Sequence, residues 1–415
     1  MQARKLIRTA VLAAFAALAS ACVFPFNPDI KVGSEYPLVC EGDLKLGGET
    51  VIYFAYVEPM KPDDDFVLPV AYVNGFIEGE DGVRVGGVFS TGEESAGGTL
   101  SSAAKRRSSL TFDTEELSTN QKYRLHFNTL DGPGGSVVNS FESEWLEVIP
   151  APVIDELTYV KNSQFKELQI GLSMHCEGSH YFRWSFSETY EYHSDIVSYL
   201  YYDPVSREVK TYKSGEPTKY YCWSNRESSA INIFDTSNQT DDRFEDLAFH
   251  RIPLGDIRLQ VMYRIIVRLQ AISDDAYDYW YSLENNTSGQ GSIFSTIPSS
   301  LIGNITCVTD PTVQVLGYLS AAQQAEGVLY YNNRKENFYT GKGLNVERDD
   351  QESTTRPDEF DYWYNRGYLP YEEIYSEGFV DDPIGYKWNK ARCIDCTKGG
   401  SGTKNKPADW PVSDI

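Results

Sequence analysis

Residues 257–272, IRLQVMYRIIVRLQAI, predict the structural centre of this protein. Every odd position from Ile257 to Ala271 is apolar, whereas arginine and glutamine occupy most of the even positions. Side chains of a β-strand alternate between two faces, so this period of two is typical of a strand with one face in a hydrophobic core. The stretch therefore predicts a long strand at the centre of a sheet. It indicates no reaction.

A short helix is predicted directly after this strand, over residues 273–286. Ser273 is expected to cap its first turn, where Asp274 and Asp275 favour the positive end of the helix dipole. One face of the helix would carry the apolar residues Ala276, Trp280 and Leu283. Because a short helix is unstable alone in water, it must pack against the sheet.

The fold class is predicted to be mainly β, because runs of Tyr, Val, Ile, Phe and Thr recur while helical periodicity is scarce. Residues 33–150 contain short strand candidates between Gly, Pro, Ser and Asp clusters, which is typical of an immunoglobulin- or fibronectin-like β-sandwich. Residues 151–332 predict a second β-sandwich domain that includes the helix. Residues 333–415 show no clear period and are predicted to form an irregular extension with a CxxC motif.

The first 21 residues have the features of an export signal. A basic start at residues 4–8 precedes an Ala/Leu/Val-rich run that is too short to span a bilayer. The sequence LASAC at residues 18–22 resembles a bacterial lipobox, and the ASA within it also fits an ordinary A-x-A cleavage site. Lipidation of Cys22 is the favoured prediction, and residues 22–32 would then form a lipid-anchored tether.

The chain is strongly acidic, and loss of residues 1–21 would take its net charge from −23 to −26. Phosphate binding needs clustered lysine and arginine, whereas the one dense basic run, residues 105–107, lies in a Ser-rich stretch typical of a solvated loop. Nucleic acid is therefore excluded as an expected partner. No later segment is long and apolar enough to span a membrane, so membrane contact would be through the lipid.

Six cysteines remain after Cys22, and an even number in an exported protein is typical of disulfide bonds. The candidates are Cys176, Cys222, Cys307, Cys393 and Cys396. The spacing of Cys393 and Cys396 also occurs in redox and zinc motifs, but no thioredoxin-like βαβ pattern or second ligand pair surrounds it. Both are expected to be oxidised, to each other or to Cys222 and Cys307.

The sequence contains none of the common nucleophile, metal, phosphate-loop or dinucleotide motifs. His175 and His180 flank Cys176 across a predicted turn, where polar residues at strand ends are a better interpretation than a metal site. Aspartate pairs lack the spacing of a calcium loop and are expected in solvated loops. We therefore predict no catalytic residue, no metal site and no cofactor.

Aromatic residues are dense between residues 181 and 223, together with Ser, Lys and Glu. Exposed aromatic rings of this kind stack on sugars or anchor protein partners, so they are candidate ligand-binding residues. The candidates are Tyr190, Tyr192, Tyr201, Tyr202 and Trp223. The alternative is that these side chains pack the faces of a long hairpin, and the sequence leaves both readings open.

Several motifs, in this order and spacing, resemble the core of one known family. They are LVCEG at residues 38–42, YFRW at 181–184, YCW at 221–223, YRIIV at 263–267, SDDAYDYW at 273–280, GSIF at 291–294, GNI at 303–305, VLGY at 315–318 and PADW at 407–410. Together they make the mature chain similar to the Bacteroidota lipoproteins of domain-of-unknown-function family 4249. The resemblance implies a lipoprotein signal, an N-terminal β-sandwich, localisation in the outer membrane and association with TonB-dependent transporters. It implies no catalytic residues.

We therefore expect an exported, non-enzymatic lipoprotein of the outer membrane that binds a glycan, a peptide or a partner as an accessory of a TonB-dependent nutrient transporter. One alternative is a surface hydrolase of glycans or peptides, with carboxylates that converge in a cleft. The other is a structural component of the envelope. The sequence leaves open whether the protein faces the cell surface or the periplasm.

Overall fold

The computed structural model describes residues 37–56, 70–91, 107–213, 219–228, 230–238, 243–287, 303–339, 341, 352–376, 382–400 and 402–411. The predicted signal peptide (1–21), the lipidation site Cys22 and the tether (22–32) lie outside these residues. Within the described ranges, no helix has both the length and the apolar character needed to cross a membrane.

Strands dominate the first two thirds of the chain. The first nine are β1 (Leu38–Lys45), β2 (Glu49–Tyr56), β3 (Val73–Gly79), β4 (Arg84–Gly86), β5 (Val88–Thr91), β6 (Ser108–Asp113), β7 (Tyr123–Leu130), β8 (Val137–Ser143) and β9 (Val148–Ile149). The next nine are β10 (Val153–Asn162), β11 (Glu167–His175), β12 (Tyr181–His193), β13 (Leu200–Asp203), β14 (Glu208–Thr211), β15 (Tyr221–Glu227), β16 (Asn232–Asp235), β17 (Arg243–Pro253) and β18 (Met262–Ile272).

One long helix and shorter elements follow. They are α1 (Asp274–Thr287), β19 (Ile305–Cys307), β20 (Val315–Leu316), β21 (Leu319–Ala322), β22 (Ala325–Asn332), α2 (Asn333–Glu336), β23 (Glu352–Thr354), α3 (Phe360–Asn365), β24 (Tyr368–Ile374), β25 (Gly385–Lys390), α4 (Ala391–Ile394) and α5 (Cys396–Gly399). Two 3-10 turns, Ile257–Leu259 and Pro357–Glu359, precede β18 and α3. The mainly β fold class is confirmed.

The first β-sandwich consists of two sheets. One has the order β5-β6-β2-β1-β21-β9, with β20 also paired to β1, and the other has the order β19-β8-β7-β3-β4. In β7, Tyr123, Leu125 and Phe127 are buried and alternate with partly exposed residues, as a strand with one face in the core requires. The Phe127 ring lies 4.9 Å from Phe54 of the facing sheet and 4.7 Å from Phe141, so aromatic side chains fill the space between the sheets.

The first sandwich is completed by strands that the sequence assigned to the second domain. Strand β21 runs parallel to β1, with Leu319 opposite Gly42, and β9 pairs with β21 on its other side. Strand β19 pairs with β8 in the facing sheet. The structure therefore departs from the predicted continuous domain over residues 151–332. Pairing between such distant segments has no local signature in the sequence, because strand periodicity reports only which face is buried.

Gly317 and Asn304 allow the chain to return from the second sandwich to the first. Gly317 has φ of +127°, and a Cβ atom there would lie 1.8 Å from the carbonyl oxygen of Cys40. The Asn304 side chain donates from Nδ2 to the Leu319 carbonyl at 2.7 Å and accepts from the Leu319 N–H at 2.8 Å. Both residues belong to motifs that carry the family resemblance, so these two motifs have a structural role.

The second β-sandwich packs a sheet of order β10-β11-β17 against a sheet of order β15-β12-β18-β22, with β16 also paired to β12. Strand β18 lies between β12 and β22, and its odd-numbered residues from Tyr263 to Ala271 are fully buried. Tyr263, Ile265 and Val267 pack in one cluster with Leu168 and Ile170 of the facing sheet, and Leu269 and Ala271 pack in another with Leu172 and Met174. The central position of this strand and the core-facing side of its odd positions are confirmed. Its other face is also largely covered, since Met262, Arg264, Gln270 and Ile272 are buried.

The predicted strand over residues 257–272 is wrong at its start, because the structure has a 3-10 turn at Ile257–Leu259 and begins β18 at Met262. The Asp256 carboxylate caps this turn by accepting the Arg258 N–H at 3.0 Å. Leu259 is nevertheless fully buried, so the apolar pattern continues through a segment that is not a strand. The period of the apolar residues alone could not distinguish the 3-10 turn from the strand.

Helix α1 lies where the two sandwiches meet. Ala276 and Trp280 are buried against the second sandwich, and the Tyr279 ring lies 5.4 Å from Tyr318, between β20 and β21. The Arg183 guanidinium lies 4.0 Å above the Trp280 ring and 2.9 Å from the Asp43 carboxylate. The helix predicted over residues 273–286 is confirmed within one residue at each end.

Ser273 caps helix α1, because its Oγ accepts the Ala276 N–H at 3.2 Å. We expect Ser273→Ala to lower the free energy of unfolding by about 1 kcal/mol, since one donor of the first turn loses its partner. Urea unfolding followed by circular dichroism measures the change. Ser282→Ala, within the same helix, is the matched control and should be neutral or slightly stabilising, because alanine favours helices. Equal losses in both variants would contradict the cap.

The predicted irregular extension contains regular structure. Strands β23, β25 and β24 form a sheet, and Trp388 of β25 is fully buried against Phe360 of α3. The hairpin β13–β14, from within the second domain, packs on this sheet through Tyr202. We call the hairpin, β23–β25 and α3–α5 the C-terminal module. Its strands are short, and β24 has a register shift between Pro370 and Glu372, which explains the missing period.

Residues 402–411, within the predicted irregular extension, return to the second sandwich. Thr403 exchanges two backbone hydrogen bonds with Trp223, at 2.8 and 2.9 Å. The Trp410 side chain is 4% exposed, and its Nε1 donates to Glu191 Oε2 at 2.9 Å. Residues 402–411 therefore cover one face of β12 and β15.

Candidate functional site

A pocket of about 480 Å³ lies within the C-terminal module. Its walls come from the hairpin β13–β14, from the segment before β15, and from helices α3, α4 and α5. The tyrosines that line it are Tyr201, Tyr202, Tyr212, Tyr364 and Tyr368. The charged residues that line it are Lys219, Asp395 and Lys398.

Paired aromatic rings form two parts of the wall. The Tyr201 and Tyr212 rings lie 4.9 Å apart with an interplanar angle of 34°, and the Tyr212 N–H donates to the Tyr199 carbonyl at 2.8 Å. The Tyr202 ring lies 5.1 Å from the Tyr364 ring. Tyr364 is 36% exposed, so part of this aromatic surface is open to solvent. Such aromatic surfaces bind ligands that have a flat apolar face with polar groups at its edge.

Tyr202 is anchored from behind by a charged network. Its hydroxyl donates to Asp361 at the start of α3, and Asp361 is also ion-paired with Arg207 of the β13–β14 turn. Burial, followed by this hydrogen bond to a carboxylate, raises the pKa of Tyr202 above its ordinary value, so it remains a neutral phenol. The contacts fix the hairpin on α3 and hold one wall of the pocket in place.

Lys219 and Asp395 form an ion pair in the pocket, with Nζ 3.1 Å from Oδ2. Burial opposes the charge of Lys219, but the Asp395 carboxylate outweighs it and raises the pKa of the lysine. The other carboxylate oxygen of Asp395 accepts from the Thr397 N–H at 3.1 Å and from its hydroxyl at 2.6 Å. Lys219 is therefore a charged donor, whereas the oxygens of Asp395 are already committed.

A disulfide fastens the pocket wall to the second sandwich. Cys396, the first residue of α5, is bonded to Cys222 of β15, and the Cys396 N–H donates to the Lys219 carbonyl at 3.0 Å. Cys393 lies buried on α4 and forms no disulfide in the structure, so the prediction that it is oxidised is wrong. Among the remaining candidates, Cys176 and Cys307 are buried in the two sandwich cores. One predicted pairing, Cys396 with Cys222, is thus present.

Two of the five predicted ligand-binding residues, Tyr201 and Tyr202, line the pocket. Tyr192 is 1% exposed, and its hydroxyl donates to the Cys396 carbonyl and accepts the Gly402 N–H, both at 3.0 Å. Trp223 pairs with Thr403. These two therefore hold the chain's own C-terminal segment, and Tyr190 packs beside Tyr192 with ring centroids 5.9 Å apart.

Tyr364 and Tyr368 complete the pocket but were missed from the sequence. The only signal for them was the unexplained aromatic content of residues 333–390. Over the described residues, no group of three or more His, Cys, Asp or Glu side chains could hold a metal ion. His175, beside the candidate Cys176, lies 3.0 Å from the Asp155 carboxylate instead.

The fold and the site define a double β-sandwich protein with a tyrosine-lined pocket in an appended module. Among known families, the chain belongs to the one described as Domain of unknown function (DUF4249), whose model matches residues 23–327. The match covers the two sandwiches up to the start of β22 and includes the hairpin β13–β14, whereas Tyr364, Tyr368 and Asp395 lie beyond it. The comparison with curated proteins gives no match for this sequence.

Proposed function

We propose that this protein is an exported, outer-membrane lipoprotein, anchored through Cys22, that binds a glycan or peptide as a non-enzymatic accessory of a TonB-dependent nutrient transporter. The observation that carries the binding role is the tyrosine-lined pocket. Its volume of about 480 Å³ falls in the range of small-molecule sites, which combine aromatic walls with a few converging polar groups. The lipobox-like segment at residues 18–22 supports the anchor, and the family resemblance supports the transporter.

The lining of the pocket favours binding over hydrolysis. Glycoside hydrolysis uses two carboxyl groups on opposite sides of the scissile bond, at least one of them free to exchange a proton. Asp395 is the one carboxylate among the lining residues, and its oxygens are occupied by Lys219 and Thr397. It is also 3% exposed. This arrangement holds a wall together and leaves no carboxyl pair to face a substrate there.

Ligand affinity should depend on the tyrosine rings. For a ligand first found on a glycan or peptide array, Tyr201→Ala and Tyr212→Ala should each weaken binding about tenfold, because one ring face is lost. Isothermal titration calorimetry with the purified mature chain measures the affinity. Tyr281→Ala is the control, since Tyr281 is 51% exposed on α1, outside the pocket. Unchanged affinity in both pocket variants would place the ligand elsewhere.

Membrane fractionation tests the lipid anchor, and co-purification tests the transporter partner. The wild-type protein should fractionate with the outer membrane, and Cys22→Ala should release it into the soluble fraction, because no acyl chains can be attached. Purification of the wild-type protein in mild detergent should recover a TonB-dependent β-barrel receptor. Recovery without any β-barrel partner would contradict the accessory role, and an unchanged Cys22→Ala distribution would contradict lipid anchoring.

A further inference from the structure

The pocket offers positive charge in a strongly acidic protein. Among its lining residues, Lys219 and Lys398 are cationic and Asp395 is anionic, so the lining has one excess positive charge. The whole chain has a net charge of −23. The negative electrostatic field of the whole protein repels anions, so an anion would be concentrated at a positively charged cleft.

The single carboxylate is turned into the wall. The Asp395 side chain is 4% exposed, whereas that of Lys219 is 42% exposed. A lysine ammonium has three N–H donors, and Asp395 is the carboxylate that the structure pairs with Lys219. Donors therefore remain for a bound group. Lys398, at the end of α5, is exposed and has no ion pair among the described residues.

The aromatic lining of the pocket favours a ligand with an apolar face over a simple anion. The rings of Tyr201, Tyr212 and Tyr364 line the same pocket as the two lysines. Tyr202 is 4% exposed and supports the Tyr364 ring from behind. A sugar ring has an apolar face that packs on aromatic rings and hydroxyl groups that pair with phenols. A simple inorganic anion would use the ammonium groups but would leave the aromatic faces unused.

We propose that the pocket binds an acidic sugar, with its ring on the tyrosines and its negatively charged group between Lys219 and Lys398. This rests on the proposed function and specifies the ligand class of the same pocket. The negative charge can come from a carboxylate or from a sulfate ester. Both accept hydrogen bonds from ammonium groups, and charge-assisted bonds of this kind are about twice as strong as neutral ones.

The test compares three probes that share a sugar backbone as closely as chemistry allows: galacturonate oligosaccharides, their neutral methyl esters, and sulfated galactose oligosaccharides. Wild-type protein should bind one of the two acidic probes at least about tenfold more tightly than the methyl ester. Tighter binding of the galacturonate identifies a carboxylate ligand, and tighter binding of the sulfated probe identifies a sulfate ester. Affinity should also fall as salt rises.

Lysine variants locate the charged group. Lys398→Gln should reduce the preference for the acidic probe about fivefold to tenfold without loss of stability, because Lys398 is exposed. Lys219→Gln should do the same but also loosens the Asp395 pair, so thermal unfolding is measured alongside. Lys335→Gln makes the same change in net charge at an exposed site outside the pocket, and should leave affinity unchanged.

Equal or tighter binding of the methyl ester, or binding of none of the three probes, would overturn the acidic-sugar proposal. The proposed function is judged separately. If a neutral glycan or a peptide binds and loses affinity in Tyr212→Ala, the pocket is a binding site and only the ligand class is wrong. If an acidic probe binds equally to wild-type protein and Tyr212→Ala, the pocket itself is excluded.

Discussion

Replacement of Cys222 or Cys396 by serine is expected to lower the free energy of unfolding by about 3 kcal/mol. The two residues are separated by 174 positions in the sequence, so their bond removes much of the freedom of the unfolded chain. The bond also holds α5, and with it Asp395 and Lys398, on the second sandwich. Urea unfolding followed by tryptophan fluorescence, without reductant, measures the change.

The loss of stability comes from the disulfide bond itself only if the effects of the two cysteine substitutions are not additive. Cys222→Ser, Cys396→Ser and the double variant should therefore lose nearly the same stability. A reductant should lower the stability of the wild-type protein to that level and leave the double variant unchanged. Additive losses in the double variant, or a wild-type protein that is insensitive to reductant, would show that the sulfur atoms matter through packing alone.

Glu188→Gln is expected to cost about 2 to 3 kcal/mol, because three buried hydrogen bonds lose their charged acceptor. The charge of Arg258 keeps a second partner, since Asp256 lies 2.8 Å from its guanidinium. Glu188 is fully buried in the second sandwich, and its Oε1 accepts from Arg258 at 2.7 Å, Tyr263 at 2.8 Å and His250 at 3.0 Å. The neutral amide keeps the shape but loses the charge. Urea unfolding at neutral pH measures the difference.

A matched exposed pair provides the control. Glu326 lies 3.3 Å from Arg268 on the same sheet, but its side chain is 53% exposed. Glu326→Gln should change stability by less than about 0.5 kcal/mol, because solvent screens surface pairs. Similar losses in Glu188→Gln and Glu326→Gln would show that burial does not decide the effect.

The same carboxylate predicts a pH dependence. Burial alone would raise the pKa of Glu188, but the hydrogen bond from His250 and the charge of Arg258 outweigh it, so the pKa in the folded protein is lowered from 4.5. The stabilisation is therefore complete above the unfolded pKa and is lost as pH falls towards the folded value. The stability difference between wild-type protein and Glu188→Gln should shrink as the pH falls below about 5. A difference that grows on acidification would contradict this.

Local patterns predicted the elements whose environment is encoded in consecutive residues. The alternation from Tyr263 to Ala271 identified the face of β18 that enters the core, and Ser273 with Asp274 marked the start of α1. The short alternating runs of residues 33–150 identified a β-sandwich. The pocket was predicted only in part, through Tyr201 and Tyr202, because aromatic residues on a hairpin do not show which faces remain open.

By itself, the amino-acid sequence determined the fold class and the core-facing sides of the strands and of helix α1, since both follow from residue type and spacing. Its motifs also carried the resemblance to the family. Only the tertiary structure decided that β19–β21 complete the first sandwich, that Cys396 bonds to Cys222, and that Tyr364 joins Tyr202. These are contacts between distant segments. Their free energy depends on how whole sheets pack, and no local period records it.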